Sequence, residues 1–304
     1  MPKLDPKRLI DLLMISEHGS YTRAAAARGV SQPALSNSVA ALERTLGIKV
    51  LERNRRGAEL TDFGRLLASH AAALDSVLAR ASEEVELKKL GMEGSLAIGA
   101  SPVACVDIVP DAISQLKRET PNIAIRIDER PDDELIKALR FGEIDFMISP
   151  TGLLTDPPDI ACEILLQDGF EIIMRRTHRW ARRRSIALSE LRGVQWVMPN
   201  AHSTIWRQIE ALFAAENEPW PTNCIATNSI TALKSLIMRD DFVSIASGKL
   251  VKHERDAGHI ACIALRKSHF VREICLRQRR GAKLTPIAQR FRAIVRAQQT
   301  NRWK

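Results

Sequence analysis

Between Ser20 and Gly47 the chain reads SYTRAAAARGVSQPALSNSVAALERTLG, and its punctuation leaves little freedom in how this stretch folds. Ser20 predicts an N-cap for a helix running through the alanines to Arg28, and Gly29 supplies the permissive backbone of a sharp turn. Ser31 predicts the cap of a second helix. Pro33 falls in its first turn, where a missing N–H does no harm, and Gly47 stands where a left-handed C-terminal residue is wanted. Leu35, Val39, Leu42 and Leu46 recur at i, i+4, i+7 and i+11, which commits one stripe to a core. Two short helices joined by a tight turn make a helix-turn-helix.

The other face of the second helix carries Gln32, Pro33, Ser36, Asn37 and Ala40 near its N-terminus. In a helix-turn-helix those N-terminal positions enter the major groove of DNA. Glutamine or asparagine can pair with N6 and N7 of adenine, serine can donate or accept, and proline or alanine can touch a thymine methyl. Further on, ERNRRG places Arg53, Arg55 and Arg56 in a predicted hairpin turn before Leu60. Such a loop can reach phosphates or an adjacent minor groove.

The elements GSYTRAA, SQPALS, ALE, LG and LTDFG stand in one order and spacing over the first 66 residues, and through them the chain resembles the LysR-type transcriptional regulators. The resemblance implies a winged helix-turn-helix, with Gln32, Pro33, Ser36 and Asn37 facing double-stranded DNA and Arg53, Arg55 and Arg56 on the wing. Two positions depart from the family's habit. Arg28 stands where an apolar residue is usual, and Leu51 where phenylalanine is usual.

Thr61 predicts the cap of a long helix reaching about Leu90, in which Leu67, Ala71, Leu74, Leu78, Ala81 and Val85 alternate at spacings of four and three. That is a heptad seam, expected to pair two copies and so to place two readers on an inverted repeat, with packing back onto the chain's own effector domain as the competing reading. The resemblance implies the same linker-helix homodimer and frequently a homotetramer, with RNA polymerase as a further candidate partner.

From Glu93 the pattern alternates: strands LAIGA, IAIRIDE and DFMIS are interleaved with helices VPDAISQLKRE and DDELIKALRFG. FEIIMR, QWVMP, CIAT, FVSIAS, HIACIAL and REICLR read as further strands, with STIWRQIEALFAAE and NSITALKSLIMRD as helices between them. This predicts an α/β class with parallel, doubly wound sheets. The expected organisation is a reader over 1–61, a linker helix over 62–91 and a two-lobed effector domain over 92–304. Lobe I takes about 92–165 and 268–304, and lobe II about 166–267. The resemblance extends this to the fold of periplasmic binding proteins.

In such sheets ligands sit beyond the carboxyl ends of strands, beside helix N-termini whose free N–H groups favour anions. Candidate residues in those loops are Ser101, Pro102, Pro150, Thr151, Asn200, Ser203, Thr204, Asn228 and Ser229, with Ser101, Asn200, Ser203 and Thr204 favoured. Ser, Thr and Asn also cap helices well, so each has a purely structural alternative. Arg130 follows the second of these strands and could supply a counter-charge. By resemblance these loops hold a small, anionic co-inducer.

Composition fits this reading. The chain of 304 residues is 45% apolar and 27% charged. Its first residues lack the apolar run and cleavage site of a signal peptide, and no stretch approaches the ~20 apolar residues of a membrane span, so the cytoplasm is expected. The net charge of +9 is unevenly spread: residues 1–66 carry 11 basic and 7 acidic side chains, 93–265 carry 19 and 24, and 266–304 carry 12 and 1. The basic C-terminal segment reads as a strand and an amphipathic helix, with Ile287, Phe291, Ile294 and Val295 on its apolar face. Its arginines suit either a solvated face or weak attraction to DNA.

Cysteines 105, 162, 224, 262 and 275 form no CxxC pair, against a disulfide framework or structural zinc. A peroxide-sensing pair, as some LysR-type proteins have, is the minor alternative to small buried thiols. The sequence has no GxSxG, GxxxxGK, GxGxxG or HExxH, and no cofactor, metal or catalytic residue is expected. An enzyme with a triad drawn from distant positions and an architectural DNA-packaging protein are the other two classes. The two-lobed domain argues against the second.

Overall fold

The computed structural model describes residues 4–54, 57–152, 156–201, 203–266 and 271–302. The chain divides into two compact units, one of residues 1–95 with 137–144 and the other of 96–136 with 145–304.

The first unit begins with α1 (Pro6–His18), α2 (Tyr21–Arg28) and α3 (Gln32–Leu46), then the hairpin β1 (Leu51–Asn54) and β2 (Gly57–Leu60), and α4 (Asp62–Lys89). Each expected cap forms. Ser20 Oγ accepts from Arg23 N, Ser31 Oγ from Ala34 N and Thr61 Oγ1 from Gly64 N. Gly29 has φ +67°, and its turn closes when Val30 N donates to Ala25 O at 3.0 Å. Leu35, Val39 and Leu42 are fully buried with Leu12, Ile15 and Ala24, and each of the leucine, valine and isoleucine side chains contributes roughly 1.5–3 kcal/mol of hydrophobic stabilisation.

The family motifs prove to be joints. Glu43 of ALE accepts from Val50 N at 3.0 Å and Lys49 Nζ at 2.6 Å, tying α3 to the start of the hairpin. Burial pushes its carboxyl up, but the bonds from Lys49, Val50 and Leu51 outweigh this and hold it below the ordinary carboxylate value. Gly64 of LTDFG lies so close to the hairpin that a Cβ there would fall 2.0 Å from Val50 O. The two departures are also accommodated: Leu51 is buried opposite Leu60, and Arg28 donates to the buried Asp11 of α1 at 3.2 Å.

The expected seam along α4 splits in two. Ala71 is wholly buried and Leu67 half-buried in the reader's own core, whereas Leu78 and Val85 remain 53% and 55% exposed. The first turns of α4 complete the apolar surface that α1 lacks, so only the later part of the seam is free for a second copy.

The second unit, with α7 shared between the two, follows as β3 (Gly94–Ala100), α5 (Pro102–Val106), α6 (Ile108–Glu119), β4 (Ile123–Asp128), α7 (Asp132–Phe141), β5 (Phe146–Pro150) and β6 (Ile160–Arg175). Then come β7 (Ser185–Ile186), β8 (Gln195–Met198), α8 (Thr204–Ala215), β9 (Cys224–Ala226), α9 (Ile230–Arg239), β10 (Phe242–Ser247), α10 (Lys252–Asp256), β11 (Ile260–Leu265), β12 (Val271–Arg279) and α11 (Pro286–Arg302). The strand order β4-β3-β5-β12-β6-β10-β8-β9 is one path, with β11 and β7 branching from β6.

The sheet is mixed: the parallel pairs that the alternation predicts stand beside antiparallel ones. β3 with β5, β10 with β8, and β8 with β9 are parallel, but β6 runs antiparallel to β12, β10 and β11. FEIIMR is only the last part of β6. Its first part pairs with β12 from Ile160↔Arg279 to Gly169↔Val271, and its last part with β10 from Phe170↔Ser247 to Met174↔Val243. One strand of 16 residues thus serves both lobes. Phe291, Ile294 and Val295 of α11 are buried with Phe146 and Ile148 of β5.

Candidate DNA reader and effector-binding residues

The capped start of α3 presents its predicted face to solvent. Gln32, Pro33, Asn37 and Ala40 are exposed and Ser36 is half-buried, while Leu35 and Val39 between them are buried. Side chains with base-pairing capacity therefore stand on an anchored helix. Ser38 is not available to DNA in the same way, because its hydroxyl donates to Asp11 Oδ2 at 2.6 Å. Arg53 belongs to β1, its side chain outside the described residues, as are Arg55 and Arg56 altogether.

In the second unit the candidate residues gather in two groups. In lobe I, Ser101 N donates to Ile148 O at 3.0 Å, bringing the ends of β3 and β5 together, so that Ser101, Pro102, Pro150 and Thr151 share one end of that sheet. Ser101 is buried, and its hydroxyl finds no hydrogen-bond partner among the described residues. In lobe II, Asn228 Oδ1 accepts from Asn200 N at 3.0 Å across the ends of β8 and β9. Ser203 and Ser229 cap α8 and α9, and Thr204 is exposed at the first turn of α8. Arg130 is held by Asp128 at 3.0 Å.

A polar network joins the lobes, and of its members only Thr151 is among the residues singled out from the sequence. Asp168 of β6, wholly surrounded by protein, accepts from Ser247 Oγ at 2.5 Å and from Arg272 Nε and Nη2 at 3.0 and 2.9 Å. Arg272 also donates to Gln208 Oε1 at 3.2 Å, and Gln208 Nε2 donates to Thr151 O at 3.3 Å. Gln208 lies on α8, so the network reaches from the β5 end in lobe I to the helix that Ser203 caps. Nearby, burial raises the Asp132 carboxyl above its ordinary value, against the pull of Arg277, Arg272 and a bond from Ser149. The sequence signal was an arginine and an aspartate inside otherwise apolar strands, where a charge must be paired.

Two family models match the chain: the bacterial regulatory helix-turn-helix protein, lysR family, over residues 7–65, and the LysR substrate binding domain over residues 90–300. This chain belongs to the LysR family of transcriptional regulators. It is 28% identical to the HTH-type transcriptional regulator GbpR of Azospirillum brasilense over 299 residues, covering 97% of this chain and 86% of that protein. It is 29% identical to the SDS degradation transcriptional activation protein of a Pseudomonas species, covering 96% and 95% respectively. The solved structure of full-length CbnR complexed with its target DNA shares the fold, with a TM-score of 0.64 and 22% identity, covering 97% of this chain and 99% of that one.

Within this LysR-family chain three of the thiols are held away from the thiolate form that peroxide sensing needs. Burial and the neighbouring Glu129 raise Cys105 to about 11, burial and the adjacent Cys275 raise Cys162 to about 12, and burial and Glu171 raise Cys262 to about 11. No helix among the described residues is long and apolar enough to cross a membrane, and none of their His, Cys, Asp and Glu side chains cluster as a metal site.

Proposed function

We propose that this LysR-family regulator is a cytoplasmic homodimer, or a tetramer built from dimers, that reads an inverted-repeat operator and answers to a small anionic co-inducer. It performs no catalysis. The observation that carries the DNA reading is the exposed row Gln32, Pro33 and Asn37 on a capped helix whose opposite stripe is buried. Gln32 and Asn37 discriminate bases, Pro33 and Ser36 shape the contact, and Arg53, Arg55 and Arg56 bind the backbone or the minor groove beside it. The free later part of the α4 seam supports a two-fold partner, which sets two readers on one face of the duplex.

The co-inducer reading rests on Ser101, whose buried hydroxyl has no partner among the described residues, because such a group costs free energy unless a ligand or water satisfies it. Ser101, Pro102, Pro150 and Thr151 form one wall and Asn200, Ser203, Thr204, Asn228 and Ser229 the other. Arg130 adds positive charge. A ligand that prefers one arrangement of the lobes shifts the regulator towards it, and the reader spacing and RNA polymerase contact follow.

Two measurements test the pair of readings. Gln32→Ala is expected to cost about 1–3 kcal/mol of discrimination at one operator position; an operator panel with unchanged preferences would overturn the role of Gln32. A thermal-shift screen of metabolites on the full chain should return a ligand whose stabilisation is lost in Ser101→Ala, and equal stabilisation of wild type and variant by every hit would remove Ser101 from the site.

A further inference from the structure

Residues 175–184 read RRTHRWARRR, six arginines without a carboxylate, and the reader and co-inducer roles use none of them. The segment leaves the C-terminal end of β6. Because β6 is antiparallel to β10 and β10 is parallel to β8, it lies at the opposite end of the lobe II sheet from Asn200 and Asn228. There Arg176, Arg182 and Arg183, with Arg255 of α10, line a concavity of about 620 Å3 over a floor that includes Ile260 and Ile263 of β11. No carboxylate is among its described lining residues.

Its counter-charges set this cluster apart from the basic C-terminal segment. Arg175 is paired with Asp241 at 2.9 Å, Arg183 with Glu190, and Arg255 loosely with Asp256 at 3.6 Å. Arg176 and Arg182 have no ion pair among the described residues, and both are exposed. Guanidinia gathered around one concavity repel one another unless an anion sits between them. The volume falls within the roughly 300–1,000 Å3 of small-molecule sites, whereas a duplex offers a convex surface that does not enter such a space.

We propose that this concavity is a second ligand site, separate from the co-inducer walls, and that it binds a phosphorylated small molecule. A phosphate group offers three acceptor oxygens and up to about two negative charges, enough for several guanidinium forks at once, whereas a carboxylate is planar, singly charged and filled by one fork. The apolar floor of β11 receives the organic part of the ligand.

Isothermal titration of the full-length protein with inorganic pyrophosphate, with citrate and with a non-operator duplex in parallel arms, tests the assignment. Pyrophosphate should bind saturably and more tightly than citrate. The double variant Arg176→Ala/Arg182→Ala should weaken pyrophosphate binding by about tenfold or more, the loss expected on removing charge-assisted hydrogen bonds, while Arg239→Ala on α9, exposed at another part of lobe II, should leave it unchanged. Both variants alter exposed side chains, and unchanged thermal unfolding would show them folded. The proposal is overturned if pyrophosphate gives no saturable binding, if citrate binds equally well, or if the double variant binds as wild type does. It is equally overturned if only duplex binding falls in that variant. None of these outcomes bears on Ser101, whose test uses the other end of the sheet.

Discussion

A carboxylate inside a helix–helix interface needs partners, and Asp11 has two. It is 4% exposed, accepting from Arg28 Nε of α2 at 3.2 Å and from Ser38 Oγ of α3 at 2.6 Å, so one side chain on α1 holds both helices of the reader. This explains why an arginine is tolerated where an apolar residue is usual: its guanidinium reaches the buried Asp11 carboxylate and pairs with it. Arg28 remains about one-third exposed, which screens the pair and lowers its worth below that of a fully buried one. Arg28→Leu is expected to destabilise the reader by about 1–3 kcal/mol, because Asp11 keeps only the serine. With Asp11→Leu also in place, part of that loss should return, since no orphaned charge is left. Native-state hydrogen exchange at the amides of α1 and α3 reads both effects; effects that add to within about 0.5 kcal/mol would mean that the two side chains are not coupled.

Among the elements, α4 shows how one periodic pattern can serve two interfaces. Ala71 is buried against the reader while Leu78 and Val85 are exposed on the same seam, so substitutions along it should separate two properties. Leu78→Glu is expected to shift the protein from dimer towards monomer in sedimentation velocity with little change in the reader's stability. Ala71→Leu should instead overpack the reader core and cost about 1–3 kcal/mol there. A monomeric Ala71→Leu protein with unchanged reader stability would reverse the assignment. The seam's period was legible in the sequence, but not the point at which it changes partner, because that depends on where α1 ends its own apolar face. Caps and turns were legible for the opposite reason. Ser20, Gly29, Ser31, Gly47 and Thr61 act on groups within a few residues of themselves. β6 lay beyond that reach: its alternating first part looks like any surface segment until β12, more than a hundred residues later, pairs with it. The candidate loops were found as strand ends, whereas Asp168, Gln208, Ser247 and Arg272 went unseen because their meaning lies in a network spread from β6 to β12.

At the scale of the whole chain the question is where a net charge of +9 goes. Part of the basic C-terminal segment, for which the sequence suggests a solvated or DNA-attracting face, is paired with carboxylates within the fold. Arg290 pairs with Glu119, Arg296 with Glu163, Arg277 with Asp156 and Arg272 with Asp168, which are carboxylates from the acidic middle of the sequence. These pairs return the end of the chain to the domain it left, where β12 and α11 complete lobe I. They differ in worth. Arg290 and Arg296 are about half exposed and contribute little, as surface pairs do. Arg272 and Asp168 are 9% and 2% exposed, with every polar contact made within the protein, so removing one partner strands a buried charge. Arg272→Met is therefore expected to lower stability by about 3–5 kcal/mol, seen as an earlier urea midpoint for the second unit. Adding Asp168→Leu should recover much of that loss, since the apolar pair leaves no unpaired charge, although Ser247 and Gln208 then lose their partners. If the double variant were no more stable than Arg272→Met alone, the cost would lie in packing around Phe170, over whose ring the guanidinium sits at 4.9 Å, and the interlobe network would not be an electrostatic joint.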